Sequence, residues 1–495
     1  MRREIKFHDF WKIIIAVLAL GVCAGACLYF FSRDQASGRK GPSMITALLT
    51  GSLTLPLTPE NISTIPLYHI HKNLWTTITG EHGEPALARL VEVRKDKVYR
   101  FEILPDSRFS NGREITSADV SFSVKRLMKR QSGGHFNAKG IIEEVETTSP
   151  TAFEIRLKEP TPSFLFLLSI PEMGIVPEEI CDDSGNIKRL DITSGAYTVS
   201  GDPTADSIVL SKNSYFRRAS PESPDQVKIQ FTHDAEEITR AAAADAVDFV
   251  EIYEGSGSRI FPQLKDNSNL AYKITRPSYS VFLSSNPKGV APSTRLTIAR
   301  LISSNLKKYF TLSPDLEQFS YEVVPPETFG SLGVHESQPI SEGAREPVTE
   351  IKIGNLDKAS PLLGAVTKIL TDAGIKVTLV DANSSDDYDY ALFGQGMNLD
   401  FPEIEFYLSM VSPWTIFEGK SDEKKALSGV IHSKDRKVRS EVLQKLGRSL
   451  VFDGRVIPLV VRSYAHVYRK DRLNIDQVTN YDGDVPFWLM KVIEK

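Results

Sequence analysis

The chain has 495 residues, 41% of them hydrophobic and 25% charged, a globular profile too long for one compact core, so two or three domains are expected. A formal net charge of -4, with no long run of Lys or Arg, gives no electrostatic footprint for nucleic acid. Of its 3 cysteines, Cys23 and Cys27 lie in one apolar segment and leave Cys181 alone in the body, which excludes a disulfide framework or a cysteine-based zinc site there.

Ile13 to Ser32 carries no charge and is long enough to cross a hydrocarbon core of about 30 Å as a helix. Arg2, Arg3, Lys6 and Lys12 precede it and favour a cytoplasmic N-terminus, a bias that Arg33, Arg39 and Lys40 weaken. Residues 1–32 therefore read as an uncleaved signal anchor, with a cleaved signal or a lipoprotein signal as alternatives. Lipidation would fall on Cys27, after Ala24-Gly25-Ala26, or on Cys23, after Leu20-Gly21-Val22. Every reading tethers or exports the body, and residues 33–43 form a flexible linker.

Met44 to Leu49 is an apolar run suited to a buried strand, and Leu53 to Pro59 follows as a proline-punctuated loop. His69 and His71 would share one face of a strand and suit a metal, but they read better as polar residues of a solvated or helical segment. Val98 to Ile103 alternates as a half-buried strand. Thr116 and Asp119 form a capping-box pair opening a helix with Val120, Val124 and Leu127 on one face and Gly133-Gly134 as its stop. Phe153, Ile155 and Leu157 alternate as a further strand, and Thr161-Pro162 caps an apolar helix. Adjacent acids such as Glu143-Glu144, Glu236-Glu237 and Asp386-Asp387 point apart and read as solvated surface. Gly255 to Ser258 lacks the Lys-Ser/Thr of a phosphate loop and reads as a turn.

After Pro292 the pattern changes. Leu296, Ile302 and Leu306 stripe a helix ending near Phe310. "EIKIGN", a helix from Pro361 to Ala373 stopped by Gly374, and "IKVTLV" read as a strand, crossover helix and parallel strand, with Tyr388 to Phe393 as another strand. Trp414 and Phe417 are pocket or core aromatics. No catalytic motif is present, so neither an enzyme nor a cofactor is expected.

"YRFEILPDSRFSNGREITSADVSFSVKRL", Tyr99 to Leu127, resembles the signature of extracellular solute-binding proteins of the oligopeptide, dipeptide and nickel-binding class, family 5, which serve ABC importers. "TSGAYTV" at Thr193, "LSKNSYF" at Leu210, "SYSVFLSSNP" ending near Asn286, "RLTIARLISSNL" and "VIPLVVRSYAHVYRKD" follow in that family's order. The resemblance implies an α/β, periplasmic-binding-protein-like clamshell with a mixed α+β, discontinuous N-lobe, residues 44–276 plus 463–495, closing on a C-lobe of 277–462. It further implies a peptide or other small solute bound by Ser52, Leu53, Thr54, Tyr279, Gly394, Gln395, Gly396, Met397, Asn398 and Asp400, a permease partner, no metal, and a monomer facing the periplasm or exterior. Two departures stand out. Only "DANSSDD" separates "IKVTLV" from "YDYALF", where the family has an extra helix. The acid that pairs with a peptide's α-amine is missing from its usual place, Asp400 being the nearest carboxylate. A membrane-anchored scaffold or sensor that binds a partner protein is the alternative function.

Overall fold

The computed structural model describes residues 43–59, 65–130, 138–252, 257–286, 290–313, 315–334, 340–341, 347–355, 360–382, 387–397, 401–411, 416, 418–478 and 485–493. The apolar N-terminal segment with Cys23 and Cys27, the Gly133-Gly134 stop, Asp386, Asn398, Asp400, Trp414 and Phe417 lie outside them. Among the described residues no helix is long and apolar enough to cross a membrane.

In chain order, β1 is Met44–Thr50 and α1 is Ile65–Leu74. They lead to β2 (Ala88–Arg94), β3 (Val98–Ile103), α2 (Ser117–Lys129), β4 (Ile142–Ser149) and β5 (Ala152–Leu157). Then come β6 (Tyr197–Ser200), β7 (Ser207–Lys212), β8 (Gln226–Thr232), α3 (Ala235–Ala243), β9 (Phe249–Ile252), α4 (Gly257–Lys265) and β10 (Leu270–Ile274). A second series holds β11 (Tyr279–Ser285), α5 (Pro292–Tyr309), β12 (Glu317–Phe319), β13 (Glu350–Asn355), α6 (Pro361–Asp372), β14 (Lys376–Asp381) and β15 (Tyr390–Gly396). The chain closes with α7 (Pro402–Val411), α8 (Ser421–Val430), α9 (Arg436–Phe452), β16 (Val456–Arg462), β17 (Ala465–Arg469), β18 (Leu473–Asn474) and β19 (Lys491–Val492).

Two large sheets give the molecule its two lobes. The first runs β10-β17-β9-β1-β8-β7-β6 and the second β12-β16-β11-β15-β13-β14, while β2-β3-β5-β4 form a separate antiparallel sheet. β1 and β8 pair in parallel from Met44 with Gln226 to Thr50 with Thr232, and the alternate apolar residues of β8, Val227, Ile229 and Phe231, enter the first core. The sheets are joined where the chain passes from Ile274 to Tyr279 and returns from Arg462 to Ala465. These connections are laced together: Thr275 donates its amide to Tyr464 O at 2.9 Å, Tyr464 donates to Thr275 Oγ1 at 2.8 Å, and Ser278 donates to Arg462 O at 3.2 Å. Two short crossing segments that absorb rotation are the physical form of a hinge.

The small sheet has its own core, in which Phe101 and Phe153, each fully buried, stack at 5.3 Å. Burying each such ring is worth about 1.5–3 kcal/mol. The capping box at Thr116 is present, the Asp119 carboxylate accepting from the Thr116 amide at 2.8 Å and hydroxyl at 2.9 Å.

Two expectations need correction. Gly257 and Ser258 open α4 and do not form a turn, because Ile260, Phe261 and Leu264 give the segment a helical apolar stripe that is buried against β9 and β17 neighbours. The apolar helix after Thr161-Pro162 is one turn, Phe164–Leu167, since Ile170 must adopt an extended conformation before Pro171.

Candidate functional site

β1 delivers its C-terminal end to the surface. Gly51, with φ 129, turns the chain out of the strand while its amide still donates to Thr232 O at 2.9 Å. Leu53 is buried, with its amide on Ala205 O at 2.8 Å, whereas Ser52 and Thr54 on either side of it are exposed. Alternation in an extended segment thus presents Ser52 and Thr54 outward and anchors Leu53 inward.

β15 pairs with β11 over its whole length, from Tyr279 with Gly396 to Ser285 with Tyr390. Its other edge pairs with β13 only at Tyr390 and Ala391. Among the described residues, the edge from Leu392 to Gly396 therefore has no strand partner, and such an edge is a template for another extended chain. Gly394 and Gly396 leave its backbone bare. A Cβ at Gly394 would lie 2.3 Å from the Tyr279 hydroxyl, so the Tyr279 ring rests on that glycine, while a Cβ at Gly396 would meet nothing within 4 Å. Gln395 is held by Ser409 of α7, its amide donating to Oγ at 2.9 Å. Met397 is buried and fixed by its amide on Ser278 O at 2.9 Å. Tyr279, Gly394, Gln395, Gly396 and Met397 are thus brought together, and Ser52, Leu53 and Thr54 form a separate group on the first lobe.

The lobes also touch beside this edge. Phe401 stacks on Phe166 at 5.4 Å, Ile404 of α7 joins the core of the small sheet, His432 Nδ1 donates to Pro160 O at 2.9 Å, and Lys434 pairs with Asp96. Behind Phe401, the buried Glu403 carboxylate meets Arg439, whose guanidinium lies 5.0 Å over the Phe401 ring. Burial pushes the Glu403 carboxyl above its ordinary range despite the opposing pull of Arg439.

Sequence reasoning missed a buried network on the first lobe. His69, on α1 and not on a strand, lies 2.9 Å through Nε2 from Glu251 Oε1, and His466 Nε2 lies 3.3 Å from Glu251 Oε2. All three are essentially inaccessible. The Val485 amide donates to His69 Nδ1 at 3.1 Å. Burial pushes the Glu251 carboxyl up, but the two imidazoles outweigh it and hold it at about 2. Among the described residues no cluster of three or more His, Cys, Asp or Glu has metal-binding geometry. Only the combination of residues from α1, β9 and β17 creates the network, and their separation of nearly 400 positions hides it from local pattern reading.

The site thus offers backbone hydrogen bonding along a strand edge beside an aromatic ring. Residues 83–310 match the model of bacterial extracellular solute-binding proteins, family 5 middle. The dipeptide-binding protein DppE of Bacillus subtilis is 23% identical over 333 residues, 62% of this chain and 58% of the relative. The HTH-type transcriptional regulator SgrR of Photorhabdus laumondii is 33% identical over 147 residues, 29% of this chain and 25% of the relative. The chain thus spans between a quarter and three-fifths of these two curated relatives. Among solved structures, a Pseudoalteromonas dipeptide-binding protein in complex with Met-Leu superposes with TM-score 0.77 at 12% identity, over 91% of this chain and 100% of that one. NikA from Brucella suis in complex with Fe(III)-EDTA gives TM-score 0.75 at 16% identity, over 90% and 99%. At these identities the superpositions show a shared two-lobed fold.

Proposed function

We propose that this chain, whose residues 83–310 match the model of bacterial extracellular solute-binding proteins, family 5 middle, is a substrate-binding receptor for an ABC-type importer, capturing a peptide-like solute between its lobes. Proteins of this family bind and do not catalyse. The observation that carries the reading is the β15 edge from Leu392 to Gly396, which has no strand partner among the described residues and where Gly394 and Gly396 strip the backbone of side chains beside Tyr279. An extended peptide adds to such an edge through main-chain hydrogen bonds, and closure of the first lobe brings Ser52 to Thr54 to its other side. The lobes are taken as residues 44–276 with 463–495, and 277–462, because the two large sheets exchange chain at those points. Residues 1–32 are assigned to membrane tethering, by an anchor or by lipid on Cys27 or Cys23, with delivery to a permease outside the cytoplasm.

Asp400 is the proposed partner of a ligand ammonium, since burying that cation without a carboxylate costs several kcal/mol. Calorimetry tests this: Asp400→Asn weakens a peptide with a free N-terminus and spares its N-acetylated form. Equal affinities throughout remove Asp400 from the site.

A second reading, a clamshell that senses a solute and signals through a protein partner, is favoured by the 33% identity to a relative named as a transcriptional regulator. Affinity capture from membranes separates the two, a permease supporting import and a signalling protein supporting the sensor.

A further inference from the structure

A cavity of about 210 Å³ lies within the first lobe beside the small sheet, with Trp75, Lys72, Glu84, Phe216, Arg218 and Trp488 among its walls. It sits away from the β1 exit. Trp488 runs into β19, which pairs with β18, and the adjoining Arg472 donates to Met44 O at the start of β1. Ser52 and Thr54 follow the opposite end of that strand, about 20 Å away at the usual rise per residue.

The walls carry charge of both signs, Lys72 and Arg218 with Glu81 and Glu84. Lys72 is paired with Glu81 at 2.7 Å, and the Glu84 carboxylate accepts the His82 amide at 3.0 Å. One buried donor is less well served. Trp75 is 3% exposed, yet its indole Nε1 has no hydrogen-bond partner among the described residues. The base of the Trp75 side chain packs on Gly174, where an added Cβ would come within 2.6 Å of the Trp75 Cβ. Arg218, at the exposed rim, lies 4.8 Å over the Trp488 ring, with the Glu84 carboxylate near enough to act on its charge. Phe216 meets Trp488 edge-on at 5.5 Å and completes an aromatic wall. A buried donor left unmade costs about 1–3 kcal/mol, which a ligand acceptor would relieve. The space equals roughly seven water volumes, small for a peptide and suited to a compact molecule.

We propose that this cavity is an accessory site for a small organic carboxylate with a flat apolar body, its oxygens accepting from Trp75 Nε1 and Arg218 and its body lying against Phe216 and Trp488. Occupancy ties the end of α1, the loop from Gly80 to Glu84 and the C-terminal return segment together, because each supplies wall residues.

Calorimetry on the intact chain with sodium phenylacetate and, as its neutral counterpart, phenylacetamide tests the proposal. The acid binds at least about tenfold more tightly than the amide, and Trp75→Phe and Arg218→Ala each weaken the acid by a similar factor. Arg218 is at the rim, so Arg218→Ala reports on binding even if Trp75→Phe fails to fold. Gly396→Trp, which obstructs the interlobe site, leaves phenylacetate binding intact and so distinguishes this cavity from the proposed peptide site. Acid and amide binding alike, neither binding at millimolar concentration, or loss of acid binding in Gly396→Trp overturns the proposal.

Discussion

Gly394 and Gly396 sit two residues apart on β15 and meet opposite surroundings, which makes them a sharp pair of probes. A methyl at Gly394 would overlap Tyr279, whereas one at Gly396 would enter open space. Gly394→Ala therefore displaces the Tyr279 ring and lowers both stability and affinity, while Gly396→Trp keeps the thermal midpoint of wild type and lowers solute affinity by about tenfold or more. Thermal melts paired with calorimetry check both; a Gly396→Trp protein that binds as wild type removes β15 from the site. Glu251 supports a pH prediction. Its carboxyl is held at about 2 against an ordinary 4.5, so the folded form is favoured by its ionisation above about pH 4.5 and loses that contribution as pH falls toward 2. The full effect is on the order of 3 kcal/mol. The stability advantage of wild type over Glu251→Gln, read from urea unfolding, should accordingly narrow on going from about pH 5 to about pH 3. An advantage that stays constant across that range contradicts the assignment. Neither glycine contact nor the Glu251 network is visible in a local stretch of sequence, because each depends on which strands the fold makes neighbours.

At the scale of elements, the parts governed by short-range chemistry were legible. β3 spans the alternating Val98 to Ile103, and α2 begins after Thr116 because Asp119 caps it. Asp119 also receives both terminal nitrogens of Arg113, at 2.8 and 3.1 Å, so Asp119→Ala removes a cap and an ion pair together. A loss of about 1–2 kcal/mol is expected from the unfolding midpoint of that variant. The strand, helix, strand order of β13, α6 and β14 was likewise readable, with Gly374, φ 82, ending the helix segment as the left-handed position requires. β15 was only half readable: the apolar run stops at Phe393, but the strand continues through Gly394, Gln395 and Gly396 because β11 supplies hydrogen bonds regardless of side chain. The residues that make the candidate edge are therefore those with the weakest strand signal. His69 shows the converse, since a spacing compatible with a strand face belongs to a helix.

At the scale of the molecule, the ordered series of motifs from Tyr99 to Asp471 announced a two-lobed binding protein, but the contact between lobes came from the fold. Phe401, Ile404 and His432 reach the small sheet from elements that follow β15, hundreds of positions after Phe166 and Pro160. Contacts of this kind stabilise the closed form, and ligand affinity rises with the closed population. Phe166→Ala should consequently release bound solute several-fold faster in stopped-flow measurements, with the same association rate; an unchanged release rate would mean that the contact does not hold the lobes together. The account rests most heavily on solute captured at the β15 edge. Native mass spectrometry of the intact chain purified from cell extract tests that directly: wild type should carry an added mass that fragments as a peptide, and equally folded Gly396→Trp should carry none. The same peptide mass on both proteins, or a wild-type adduct that contains no peptide, would contradict it.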